Sequence, residues 1–172
     1  LAGQAGGALT AARDITGAGS VAFGQAATLA ASHDIALSGA LQGASVSVTG
    51  GNNVGLAGVQ AVSGDLSVVA NGNAGGGDVT LGGAATALGA FSLQAARDVN
   101  VNHAINAGAA TDIKAARNVA LADVNTAGDL SVTASNGSAG AANVTARGNL
   151  NVTAGQAITL SGQTVSGGNA TL

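Results

Sequence analysis

The chain has no cysteine, proline, methionine, tryptophan or tyrosine, and only two phenylalanines. Without cysteine there are no disulfides and no thiol chemistry, which fits a chain that crosses compartments unfolded. Glutamate is missing too, so every acidic residue is an aspartate. Charged residues make up only 8% of the chain and the net charge is −3. The basic residues Arg13, Arg97, Lys114, Arg117 and Arg147 are scattered. No basic patch can follow a phosphate backbone and no aromatic set can stack bases, so nucleic acid is excluded as a partner. No run of apolar residues long enough for a transmembrane helix escapes glycine and polar breaks, so the chain is not expected to span a membrane. The first seven residues lack the basic start and apolar run of a signal peptide.

What is present is repetition. Leu93-Gln-Ala-Ala-Arg-Asp-Val99-Asn-Val101 returns 20 residues later as Ile113-Lys-Ala-Ala-Arg-Asn-Val119-Ala-Leu121. Stepping outward from Leu93 gives an aliphatic marker column: Leu9, Leu29, Val48, Val68, Leu93, Ile113, Val132 and Val152. Only the step from Val68 to Leu93 departs much from 20 residues. A fixed period of this length is the sequence signature of a solenoid. Six and eight residues after each marker, further apolar positions recur, such as Val99 and Val101. A looser third column runs through Val21, Ala40, Ile105, Val124, Val144 and Thr164, with Gln60 and Ala85 breaking it.

Each run alternates apolar and polar residues, as in Leu66-Ser-Val68 and Leu130-Ser-Val132. That is the period of a strand with one buried face. Alanine favours helix, but glycine interrupts every window long enough to form one. Three short strands per unit, repeated in register, predict an all-β parallel β-helix of about eight coils. Each strand pairs with its equivalent one coil away at ~4.8 Å, giving a rod roughly 40 Å long. Residues 1–172 read as one such segment, a fragment of a longer array. The long step is an insertion near residues 71–78, in the turn between the first and second strands. In the seventh unit Ser138 and Gly140 fall on apolar positions, so its second strand is expected to be weak or looped.

Two polar columns mark the turns. Asp14, Asp34, Asn53, Asn73, Asp98 and Asn118 precede the second strand, followed by Gly137 and Ala157. Asx residues tolerate left-handed backbone and bond their own turns, so they are expected to stack as a structural ladder. Gly24, Gly43, Gly64, Gly89, Gly108, Gly128, Gly148 and Gly168 recur shortly before each marker, as positive-φ corners would require.

The phrases Ala95-Ala-Arg-Asp-Val-Asn-Val101, Leu160-Ser-Gly-Gln-Thr-Val-Ser-Gly-Gly-Asn169 and Asp129-Leu-Ser-Val-Thr-Ala134 resemble the repeats of the filamentous haemagglutinin family. These are large two-partner secretion adhesins of Gram-negative bacteria, and the Ala/Gly-rich composition is similar to that of the Bordetella members. Contact-dependent inhibition exoproteins carry related repeats. The resemblance covers essentially the whole chain. It implies a right-handed β-helix shaft, exported through an outer-membrane two-partner transporter and displayed on the cell surface, where the full-length protein attaches to host cells. The family's Asn-Pro secretion motifs are not in this chain, and Arg147-Gly148-Asn149 lacks the carboxylate of an integrin-type Arg-Gly-Asp. The family's heparin binding calls for basic clusters, which a chain of net charge −3 does not offer.

Chemistry is weighed against this structural reading. β-Helix lyases and hydrolases use clustered carboxylates. Here Asp alternates with Asn in every coil and no aromatic is placed to stack a sugar, so the column is read as turns and the chain as no enzyme. His33 occupies the slot of Arg13, Arg97 and Arg117 and is expected to be a solvated surface residue. Two histidines without cysteine argue against a zinc site, and a single Gly75-Gly-Gly77-Asp78 lacks the period of a calcium-binding repeat. No cofactor is expected. The favoured function is a structural shaft of a secreted adhesin. The alternatives are a glycan- or receptor-binding surface on the segment itself, with Asn71, Asn73 and Asp78 of the insertion as candidates, or the stick of a contact-dependent toxin-delivery exoprotein.

Overall fold

The computed structural model describes residues 2–172, and no helix occurs among them. Short strands wind into a parallel β-solenoid of about eight coils, each about 20 residues long. Every coil has three sides. Side I is a nine-stranded sheet beginning with Gly7–Ala11 and Ala27–Ala31 and ending with Leu150–Ala154 and Ala170–Thr171. Sides II and III merge into a 15-stranded sheet, because Ile35–Gly43 and Val54–Ala61 run through both without a break. All pairings are between neighbouring coils and parallel, as Leu93↔Val68 and Leu93↔Ile113 illustrate.

The alternation anticipated from the sequence places every second side chain inside. Leu9↔Leu29↔Val48↔Val68 and Leu93↔Ile113↔Val132↔Val152 stack in one column across side I. From Leu29 to Val152 this column is buried, and Leu9 is half-buried near one end. Side II contributes Val54, Val79, Val99 and Val119, all 2% exposed or less. Each fully buried valine or leucine contributes about 1.5–3 kcal/mol. Because every coil covers its neighbours, that contribution recurs along the axis.

Three sequence expectations change in detail. The third column runs through Leu41 rather than Ala40, and neither Gln60 nor Ala85 breaks it, since Val21 pairs with Leu41, Leu41 with Val59, and the buried Ala85 with both Val59 and Ile105. Turn lengths vary within a coil while the total stays near 20, so counting from one marker slips by a residue. In the seventh unit the second strand is regular: Ala139–Ala141 pairs with Val119–Leu121 and Ile158–Leu160. An extra residue in the preceding turn moves the inward positions from Ser138 and Gly140 to Ala139 and Ala141. The corner glycines Gly89, Gly108 and Gly148 do not adopt positive φ; only Gly72, Gly75 and Gly77 do among the described residues. What selects glycine at the corners is proximity. A Cβ on Gly108 would lie 2.2 Å from the Leu88 carbonyl oxygen, and one on Gly89 2.2 Å from Asp65 Oδ1.

Candidate functional site

At a corner the backbone turns away from strand geometry, and N–H groups lose their ladder partners. Asx side chains replace them. Between sides I and II, Asp14 Oδ1 accepts the Asp34 N–H at 3.1 Å, and Asp34 Oδ1 accepts the Asn53 N–H at 2.9 Å. Asn53 Oδ1 accepts the N–H groups of Gly77 and Asp78, and Asp78 Oδ1 accepts that of Asp98. Asp98 Oδ1 then receives Asn118, and Asn118 Oδ1 receives Ser138. The result is one polar ladder, each rung holding the next coil. Asn73, expected on it, stands aside, and Asp78 takes its place directly before Val79. No Asx residue here has positive φ. These side chains are therefore selected for their reach to the coil above, not for left-handed backbone.

The same device operates at the other two corners, where the sequence reading missed it. Asp123 and Asn143 accept the N–H groups of Asn143 and Gln163. Asp65 receives Ala90, Asp129 receives Asn149, and Asn149 receives Asn169. Each of these acceptors immediately precedes a strand, which is the signal that could have revealed them.

Cations sit beside the first ladder. Arg97 grips Asp78 in a two-pronged contact, Nε–H donating to Oδ1 at 2.9 Å and Nη2 to Oδ2. Arg117 grips Asp98 the same way, one coil up. The Arg117 guanidinium, followed by the Asn118 N–H, holds the Asp98 carboxyl below its ordinary value. Asp34 is lowered chiefly by the Asn53 N–H, and Asp14 chiefly by the Asp34 N–H. His33 takes the slot of Arg97 three coils lower. It is half-buried, and its Nδ1 lies 3.0 Å from Asp14 Oδ1 and 2.9 Å from Asp34 Oδ2. The expected solvated surface histidine is thus a corner residue between two carboxylates.

The insertion is clamped rather than free. Asn52 Oδ1 and Asn53 Oδ1 accept the Gly76 and Gly77 N–H groups from below, and Arg97 donates to the Gly75 carbonyl from above. Of its three candidate residues, Asp78 is committed to Arg97, while Asn71 and Asn73 face solvent. A more open feature lies on side III. There Thr86, Asn106, Asn125 and Thr145 stack in adjacent coils along a groove of about 370 Å³, with Leu88 and Arg147 at its margin. Leu88 is 63% exposed. Among the described residues no helix is long and apolar enough to cross a membrane.

Nothing among known protein families, curated proteins or solved structures matches this chain.

Proposed function

We propose that the chain is a shaft segment of a large adhesin, secreted to the surface of a Gram-negative bacterium and without enzymatic activity of its own. The observation that carries the reading is the unbroken register of side I from Gly7 to Thr171, with matching columns on sides II and III. Such a rod transmits length and stiffness, and each coil offers the next a complete template of backbone and corner acceptors. The carboxylates that an enzyme would need are engaged in corner bonds, which supports a structural role for them. The resemblance of the repeat phrases to haemagglutinin repeats supports export through an outer-membrane partner pore. A contact-dependent toxin-delivery stick would use the same rod.

The test has two parts. Fused behind a secretion domain of the two-partner type and co-expressed with its transporter, the chain should reach the medium folded. Retention inside the cell refutes the export reading. The purified segment should scatter X-rays as a rod and show no saturable binding to epithelial cells. Saturable binding would instead favour a ligand surface on the segment. The stacked Thr/Asn groove of side III is the better place for that surface, because Asp78 and the Gly75–Gly77 backbone of the insertion are engaged by Asn52, Asn53 and Arg97, which leaves Asn71 and Asn73 as its exposed polar side chains.

A further inference from the structure

The geometry points to a binding site for a divalent transition-metal ion, of the zinc or nickel type, formed by Asp14, His33 and Asp34. The three residues each offer one ligand atom, and these atoms lie within 4.8 Å of one another. His33 Nδ1 faces Asp14 Oδ1 and Asp34 Oδ2 at 3.0 and 2.9 Å, separations close to those between neighbouring ligands on one ion. Composition argues against a closed four-ligand zinc site. An open site needs only three protein ligands and leaves the remaining positions to water.

Two observations outside the cluster favour a cation here. The first is how Asp34 is held. Its Oδ1 accepts three N–H groups from the next coil: Asn53 N at 2.9 Å, Asn52 Nδ2 at 3.0 Å and Asn53 Nδ2 at 3.1 Å. This fixes the carboxylate plane and leaves Oδ2 directed at the imidazole, as hydrogen-bonded partners do around metal ligands. The second comes from the other rungs of the ladder. Asp78 and Asp98 each have an arginine of their own. Asp14 and Asp34 share one imidazole, and among the described residues the only permanent cation touching either is Arg13, 3.4 Å from Asp14 with its side chain 84% exposed. A divalent ion supplies the charge that Arg97 and Arg117 supply elsewhere, and the borderline-soft ring nitrogen selects zinc or nickel over magnesium or calcium. Binding needs the Nδ1 lone pair, so the ring proton resides on Nε2 in the loaded form.

Isothermal titration of the full chain with zinc chloride and with nickel chloride is the deciding experiment. One saturable site per chain and a rise in melting temperature are expected with either ion, and neither with magnesium or calcium. His33→Arg places at this rung the residue found at positions 97 and 117. It should keep the far-UV spectrum and the metal-free melting temperature while losing the site. Asp14→Asn retains an oxygen for the Asp34 N–H but removes a ligand charge, and should weaken binding. His103→Ala, which removes the other histidine, should change nothing. The proposal is overturned if the wild-type chain binds neither ion up to millimolar concentration. It is equally overturned if His33→Arg and Asp14→Asn bind like the wild type, or if His103→Ala abolishes the site.

Discussion

Thr111 is the one polar residue in an otherwise apolar column running from Ala27 to Leu150, and replacing it should stabilise the rod. It is 1% exposed and stacks between Phe91 and Leu130, and its hydroxyl has no hydrogen-bond partner. A buried unpaired hydroxyl costs about 1–3 kcal/mol. Thr111→Val removes that cost at nearly constant shape, and the added methyl gains at most about 0.8 kcal/mol. Strand preference is little affected, since both residues are β-branched. The net expectation is a gain of about 1–3 kcal/mol, read as a rise of about 2–4 °C in melting temperature per kcal/mol. Thr126 provides the control. It is also buried, at 3% exposure, but its hydroxyl donates to the Ala109 carbonyl. Thr126→Val should therefore lose about 0.5–1.5 kcal/mol. Thermal melts followed by circular dichroism, with urea midpoints alongside, separate the two variants by sign. If Thr111→Val melts at or below the wild type, the hydroxyl is satisfied and the argument from an orphaned donor fails.

Three further outcomes are expected. Val99→Asp sets an unpaired carboxylate at a position of 0% exposure and should cost more than about 4 kcal/mol; an unchanged melt would contradict the coil packing. Gly108→Ala drives a Cβ to 2.2 Å from a backbone oxygen and should cost about 1–3 kcal/mol, whereas Gly19→Ala meets no atom within 4 Å and should gain about 0.4–1 kcal/mol; equal urea midpoints would refute selection by proximity. The depressed carboxyls set an acid limit. A group whose folded pKa lies below its unfolded value of 3.8 stabilises the fold above that value, and the stabilisation is lost as pH falls through the folded pKa. Stability should therefore decline below about pH 4, and Asp98→Asn should make that decline shallower; an acid titration of the melting temperature with identical slopes for both chains would count against it.

The period, the three sides and the aliphatic core column were legible in the sequence because inward positions are set by burial and recur with each coil. What was not legible is how residues are distributed among the turns within a coil. The interval from side II to side III is six residues between Val99 and Ile105 but five between Val54 and Val59. Because the following interval is nine residues from Val59 to Val68 but eight from Ile105 to Ile113, both marker steps stay at 20 and the difference is hidden. The same blindness placed Asn73 in the ladder, since it keeps the usual distance from Val68. Asp78, which keeps the distance to Val79, is the one that bonds. The ladders at the other corners span too few coils to stand out as columns. Glycine was read for the wrong reason: sequence reveals that a side chain is excluded, but only the structure tells whether φ or a neighbour excludes it.

The position of the ladder residues bears on how the rod grows. Each Asx acceptor stands just before a strand and receives an N–H from the coil above, so a coil already in place presents oriented acceptors at its corners as well as along its sides. An arriving coil finds partners for the donors that its own turns leave unpaired, and its Asx residues then present the next set. The argininyl rungs add to this, because Arg97 reaches back to Asp78 and Arg117 back to Asp98, so a cation arriving with one coil neutralises an acid left by the previous one. Stability in such an array is a sum over neighbouring coils, and folding can proceed in one direction as chain becomes available. The insertion shows how much variation this scheme absorbs: five additional residues leave the rod between Ala70 and Val79, yet Asn53 and Asp78 still meet across the gap. Register is preserved by the corner bond and the Val79↔Val54 strand pairing beside it, whatever the length of the turn.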